Sequence, residues 1–249
     1  MYTLVFVRHG ESTWNKENRF CGWVDKPLTE NGKNEAKEGA LALKETGISF
    51  GTVFTSVLDR AIKTADIILE VLGQANVPRI TSWRLNERHY GALQGLDKVA
   101  TVEKYGLEKV NLWRRSFNIP PPPCEETSEW YVGNDPMYAE IPRNEIPNGE
   151  SIEQCIKRVK PCWENEIVPK MKQGQPILVV SHGNALRSLM KIIENISDEE
   201  IVKLNLPNGV PLVYKFSCDM KIVEKKFLLS DEELKARMDK VANQLLKKN

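Results

Sequence analysis

The sequence predicts an α/β protein whose strands are joined by crossover helices, and three observations carry that prediction. Strand-like runs of β-branched and aromatic residues alternate with helix-period segments along the chain. The run Ile177–Val180 is apolar without interruption, as in a strand buried on both faces. Two stretches, Ser151-Ile-Glu-Gln154 and Ser197-Asp-Glu-Glu200, fit the reciprocal capping pattern that opens a helix.

Taken in order, Thr3–Val7 reads as a strand that stops at a polar turn. A helix follows over about Glu30–Glu45, with Ala36, Ala40 and Leu43 at helical spacing and Gly47 just past its end. Thr52–Thr55 reads as a short strand, and Asp59–Leu72 as a helix with Arg60 in its first turn. Residues 93–150 are polar, hold the run Pro120–Pro123, and show few periodic apolar positions after Trp113. This stretch reads as an insertion covering one side of the sheet, helical only in its first third, with the proline run a rigid connector. After the strand Ile177–Val180, a helix starts near Asn184 and runs through Leu186, Leu189, Met190 and Ile193. Leu212–Phe216 and Ile222–Phe227 supply a final hairpin, and Ser230 with Glu233 caps a last helical segment. Residues 1–229 are thus read as one catalytic domain, and 230–249 as a mobile tail.

Composition narrows the function classes. The chain has 249 residues, with 35 basic against 34 acidic side chains and a net charge of +1. That balance argues against nucleic acid or a membrane surface as partner, so any anion site must be a local concentration of Arg and Lys. No segment approaches the roughly 18 apolar residues of a membrane span, and Leu4–Val7 is too short for a signal-peptide core. Five cysteines without a C-x-x-C pair read as reduced thiols, which gives a cytoplasmic expectation and disfavours a thiolate zinc site.

Two of the three histidines share one local context. His9 ends Val5-Phe-Val-Arg-His-Gly10, and His182 ends Leu178-Val-Val-Ser-His-Gly183. Ligands of open α/β sheets bind outside the carboxyl ends of the strands, so parallel neighbouring strands would put both imidazoles in one crevice. A single strand-end histidine is more often a satisfied core residue; two such His-Gly pairs favour a shared site. Metal ligation is one use for them. The neighbours, however, are Arg8, Asn15, Asn184 and Arg187, which suit a phosphate better than a cation. A neutral imidazole can attack phosphorus directly, so a phosphohistidine is the better reading and no metal is expected.

Longer strings carry a family resemblance. Leu4-Val-Phe-Val-Arg-His-Gly-Glu-Ser-Thr-Trp-Asn15, Asn18-Arg-Phe20, Thr55-Ser-Val57 with Arg60-Ala-Ile62, and Leu85-Asn-Glu-Arg-His-Tyr-Gly-Ala-Leu-Gln-Gly95 occur in order. Trp113-Arg-Arg115, Ser181-His-Gly-Asn-Ala-Leu-Arg187 and Gly209-Val-Pro-Leu-Val213 complete the set. Together they resemble the cofactor-dependent phosphoglycerate mutases of the histidine phosphatase superfamily, over the chain up to about Phe227. The resemblance implies a three-layer α/β/α fold with a mostly parallel central sheet, phosphoglycerate mutase-like. It implies His9 as the phosphorylated nucleophile, Arg8, Arg60 and His182 around the transferring phosphoryl group, and Glu87 as general acid and base. It further implies substrate contacts from Gly10, Glu11, Ser12, Asn15, Cys21, Gly22, Arg88, Tyr90, Lys98, Arg114, Arg115, Gly183 and Asn184. His89 is read as structural.

The implied reaction interconverts 3-phosphoglycerate and 2-phosphoglycerate, with 2,3-bisphosphoglycerate as primer and intermediate, in a homodimer or homotetramer. The insertion and the tail are the candidates for closing the site against water. Cys21 departs from the Thr or Ser usual in these mutases and resembles the related bisphosphoglycerate mutases, whereas Ser12 and Gly22 remain mutase-like. The alternative is a bisphosphoglycerate mutase/phosphatase or another hydrolase of the same superfamily. A non-catalytic relative would be expected to lack His9, Arg60, Glu87 or His182, and none is missing.

Overall fold

The computed structural model describes residues 1–243. The elements run β1 (Tyr2–Arg8), α1 (Thr13–Lys16), α2 (Glu30–Thr46), β2 (Thr52–Thr55), α3 (Asp59–Leu72) and β3 (Arg79–Thr81). There follow α4 (Lys98–Tyr105), α5 (Leu107–Arg115), α6 (Ile152–Cys162), α7 (Val168–Met171) and β4 (Ile177–Ser181). The chain then forms α8 (Gly183–Glu194), α9 (Asp198–Ile201), β5 (Pro211–Phe216), β6 (Ile222–Phe227) and α10 (Asp231–Ala242).

Six strands form one sheet in the order β3-β2-β4-β1-β5-β6. The first four are mutually parallel, and β5 and β6 close the sheet as an antiparallel hairpin. Strand alternation sorts the core into two layers. Leu4, Phe6, Phe54, Ile177, Val179 and Leu212 face α6 and α8, meeting Val159, Leu186 and Leu189. Val5, Val7, Val53, Leu178 and Val180 face α2 and α3, meeting Ala40, Leu43, Ala65 and Ile68. The architecture is therefore α/β/α with a mostly parallel centre. Among the described residues no helix is long and apolar enough to cross a membrane.

Both capping boxes form, Ser151 with Gln154 and Ser197 with Glu200. The α2 helix ends at Gly47 in the left-handed conformation, which a side chain would strain. The sequence reading passed over β3, whose three residues present no buried side chain, and over the single turn α1.

The insertion does not lie over a sheet face, because helices already fill both. Its apolar side chains anchor instead on the segment that follows β1. Leu93, Val110 and Trp113 pack on Phe20, and Val132 and Tyr138 pack on Trp23. It is helical in its first third, α4 and α5, with only single 3-10 turns beyond. The proline run is held against Gly91, where the Ala92 N–H donates to the Pro122 carbonyl at 2.8 Å. In the tail, α10 has no buried residue and is tied to α2 by the Arg237–Glu38 ion pair at 2.9 Å. The part of the tail expectation that concerns residues 244–249 lies outside the described residues.

Candidate active site

β1 and β4 are parallel neighbours, with Arg8 in register with Ser181. The next residue of each strand is a histidine, so the sheet delivers both imidazoles to one crevice, their ring centroids 4.9 Å apart. The chain after His9 must turn tightly beneath α2. A Cβ on Gly10 would stand 2.1 Å from the Gly32 carbonyl oxygen, so glycine permits that approach. Asn208 closes the other side, donating from Nδ2 to the His9 carbonyl at 2.7 Å.

His9 is buried, and its Nδ1 lies 2.7 Å from the Gly10 carbonyl oxygen. A carbonyl only accepts, so Nδ1 carries the proton and Nε2 keeps its lone pair. Burial first, then the charges of Arg60 and Arg8, hold the His9 pKa well below its ordinary value. The ring is therefore a neutral base with its free nitrogen available for attack. His182 is held neutral for the same reasons, burial foremost and then Arg60.

Arg8 and Arg60 come from the end of β1 and the first turn of α3. Arg60 is fixed by bonds to the Val24 and Gly22 carbonyls at 2.8 and 2.7 Å and by Asp25 at 3.4 Å. Arg8 donates to the Leu206 carbonyl at 2.7 Å. The Nε of each is buried without a partner among the described residues, a cost that a bound anion would remove.

Glu87 reaches the crevice from the loop before the insertion. Its Oε1 accepts the N–H groups of Arg88 and of Asn184, in the first turn of α8, at 2.7 and 3.0 Å. That leaves Oε2 for a substrate proton. The backbone behind it is clamped: the Glu87 carbonyl accepts from Trp23 Nε1 at 2.6 Å and from Arg158 Nη2 at 3.1 Å. Arg158 in turn grips Glu150 through two bonds of 2.6 and 2.9 Å.

Among the described residues the crevice wall holds seven cationic side chains, Arg8, Arg19, Arg60, Lys98, Arg114, Arg115 and Arg187, against the single carboxylate of Glu87. In a chain of net charge +1, this is the local concentration that an anion site requires. Arg115 donates to the Val202 carbonyl and to Asn205 Oδ1 at 3.2 and 3.0 Å. Arg114 reaches the Val241 carbonyl of α10 at 3.4 Å, and Val241 itself lines the wall. Burial, followed by the Arg114 charge, brings the Lys98 pKa down to about 7. Burial with Arg115 lowers Arg114 to about 10, and burial with the same neighbour lowers Arg187 to about 9.

Of the residues expected at the site, Arg8, His9, Asn15, Cys21, Gly22, Arg60, Glu87, Tyr90, Lys98, Arg114, Arg115, Gly183 and Asn184 line one crevice. His182 packs edge-on against the His9 ring. Four expected contacts lie elsewhere. Gly10 and Ser12 face α2 and the α1 cap, and the Glu11 carboxylate turns away to accept from Thr29 Oγ1 at 2.8 Å. Arg88 is a buried strut whose guanidinium donates to the carbonyls of Trp113, Glu150 and Arg114 at 2.9–3.0 Å. It acts on the wall by holding the end of α5 and by lying over the Tyr90 ring, 4.5 Å from its centroid. Cys21 Sγ accepts from Asn15 Nδ2 at 3.6 Å. His89 is buried, its Nδ1 accepting the Gly91 N–H at 3.0 Å, a bond internal to the loop.

Sequence reasoning left Arg187 and Arg19 out of the binding set, and it gave no role to Glu150, Arg158 or Ser56, the last quoted only within Thr55-Ser-Val57. Arg187 was legible as the residue one helical turn from Asn184, on the same face. The buried Glu150–Arg158 pair left no signal beyond a charged residue at each side of a helix start.

A family model described as the histidine phosphatase superfamily (branch 1) matches residues 4–141 and 135–225. Among solved structures, the chain is similar to a mycobacterial glucosyl-3-phosphoglycerate phosphatase at 23% identity and TM-score 0.66, covering 86% of this chain and 93% of that one. It is similar to the α-ribazole phosphatase from Shigella flexneri at 21% identity and TM-score 0.64, covering 88% and 93%. A phosphoglycerate mutase from Bacillus anthracis matches at 24% identity and TM-score 0.61, covering 98% and 96%. The shared feature at these identities is the phosphoglycerate mutase-like fold.

Proposed function

The chain belongs to the histidine phosphatase superfamily, and on that premise we propose that it is a phosphoglycerate mutase. It would interconvert 3-phosphoglycerate and 2-phosphoglycerate through a phosphohistidine on His9. The observation that carries the reading is the extent of the cation set. Arg8 and Arg60 stand beside His9 and suffice for one transferring phosphoryl group. Lys98, Arg114, Arg115 and Arg187 line the same crevice, and a simple monoester held by Arg8 and Arg60 would bring no second anionic group to meet their charges. A phosphoglycerate, with a carboxylate as well as phosphate, engages both groups.

2,3-Bisphosphoglycerate, when bound, supplies the phosphoryl group that charges His9; its two phosphates and carboxylate fit a wall that, among the described residues, has seven cations and three orphaned guanidinium nitrogens, of Arg8, Arg60 and Arg187. His9 attacks through neutral Nε2 while Arg8 and Arg60 neutralise charge on the equatorial oxygens. Glu87 Oε2 takes the proton of the accepting hydroxyl in one direction and returns it in the other. Arg114, Arg115 and Lys98 hold the end of the substrate that does not react.

The phosphatases among the structural neighbours favour a second reading, in which water takes the phosphate from His9. One experiment separates the two: conversion of 3-phosphoglycerate with and without a 2,3-bisphosphoglycerate primer, on wild type and His9→Ala. The mutase reading expects primed formation of 2-phosphoglycerate that His9→Ala abolishes. Free phosphate release without 2-phosphoglycerate would make the chain a hydrolase, and indifference to the His9 change would end the phosphohistidine mechanism.

A further inference from the structure

Three adjacent strands, β2, β4 and β1, end in a row. The last two deliver His182 and His9. The first delivers Ser56, fully buried one residue past β2, with its Oγ 2.7 Å from His182 Nε2. The same Oγ accepts the Leu58 N–H at 3.2 Å, and His182 Nδ1 is buried with no partner among the described residues.

Counting donors and acceptors decides which way the Ser56–His182 bond runs. If Nε2 donated to Oγ, the serine proton would have no acceptor among the described residues and the Nδ1 lone pair would be orphaned as well. If Oγ–H donates to Nε2, the serine is satisfied on both sides and the one group left over is an Nδ1–H. We infer that Ser56 is a positioning residue that fixes His182 as its Nδ1–H tautomer, reserving that N–H as the donor for the phosphoryl group carried by His9.

The two imidazoles are then locked in complementary roles by different partners. The Gly10 carbonyl accepts from His9 Nδ1–H, which keeps the proton on Nδ1 and frees Nε2 as nucleophile. The Ser56 hydroxyl occupies His182 Nε2, and its N–H supplies a hydrogen bond to an equatorial oxygen of the transferring group. An unsatisfied buried N–H costs free energy in the empty site and returns it when an anionic oxygen arrives.

The use made of the Nδ1–H rests on the phosphohistidine reading; the tautomer does not. The test is a long-range proton–nitrogen NMR spectrum of the unliganded protein labelled with ¹⁵N-histidine, His182 being assigned by the signals lost in His182→Gln. Wild type at neutral pH should show Nδ1 protonated and Nε2 as an unprotonated acceptor. In Ser56→Ala the His182 signals should move toward a tautomer mixture. Turnover should fall about tenfold to a hundredfold, with KM little changed, and Ser56→Thr should recover most of it. An Nε2–H tautomer or an imidazolium in wild type overturns the inference, as does a Ser56→Ala protein with wild-type spectrum and rate. If Ser56→Ala fails to fold, the wild-type spectrum alone still decides. A chain that proves to be a hydrolase leaves the spectrum unchanged, so the two readings fail separately.

Discussion

Replacing Arg158 by Met should cost this fold more than almost any other single substitution outside the sheet. The guanidinium is 5% exposed and the Glu150 carboxylate 3% exposed. Besides its two bonds to Glu150, Arg158 donates to the carbonyls of Arg84 at 2.7 Å and Glu87 at 3.1 Å. Burial works against the Arg158 charge, but the adjacent Glu150 carboxylate outweighs it and raises the pKa above its ordinary value. Methionine fills similar volume and leaves Glu150 buried with the His89 N–H, at 2.7 Å, as its remaining donor. Stranding one member of a buried ion pair costs about 3–5 kcal/mol. For a chain of this size that lowers Tm by about 6–20 °C. Because the lost bond also steadied the Glu87 carbonyl, kcat should fall more than KM rises. Urea unfolding with steady-state kinetics measures both. The double variant Glu150→Gln/Arg158→Met, with no buried charge left, should recover at least about 1 kcal/mol over Arg158→Met. A loss below about 1 kcal/mol in the single variant, or a double variant no better than the single, would refute this account of the clamp.

Three further outcomes follow from other parts of the molecule. Lys98, with its pKa near 7, loses its charge as pH rises through neutrality, so KM for phosphoglycerate should climb on the alkaline side. Lys98→Arg should flatten that limb, and a pH-independent KM in wild type would count against Lys98 as a substrate contact. Burial, then the Arg158 charge, drops the His89 pKa to about 3. The unfolded chain therefore takes up a proton below about pH 6.5 that the native state refuses, and stability falls with falling pH across that window. Thermal melts at neutral and acidic pH should show His89→Gln losing less than wild type, and parallel losses would contradict the assignment. Gly10→Ala places a methyl 2.1 Å from the Gly32 oxygen and should cost about 1–3 kcal/mol together with most activity; denaturant unfolding at wild-type stability would show that α2 simply yields.

Much of the framework was legible because the cues are local. The β1 and β4 runs, the helix caps and the two His-Gly strand ends each lie within a few residues of sequence. What the sequence could not say is which strands are neighbours. β1 and β4 pair across some 170 residues, and only that pairing turns two similar hexapeptides into one site. The roles of Ser56, Glu150 and Arg158 were invisible for the same reason: each matters through a partner fixed by sheet order or by the path of the insertion. Adjacency in sequence also misled. Glu11 sits two residues from His9 and turns outward to Thr29, and Arg88 follows Glu87 yet points into the core to brace α5.

The cation set and the neutral histidines have one cause. Burial removes water from His9, from Arg60 and from the Nε of half-buried Arg8, and in that setting each guanidinium charge disfavours a proton on the imidazole. The same field that keeps His9 unprotonated, and so nucleophilic, favours a phosphoryl group arriving with negative charge. Deprotonating the nucleophile and neutralising its electrophile are thus a single electrostatic arrangement rather than two. It follows that substituting Arg60 by a neutral residue would weaken both at once: the imidazole would protonate more readily and the phosphoryl oxygens would lose their counter-charge. The proximity of Arg60 to both histidines, set by one helix starting where β2 ends, is what makes them reactive rather than merely buried.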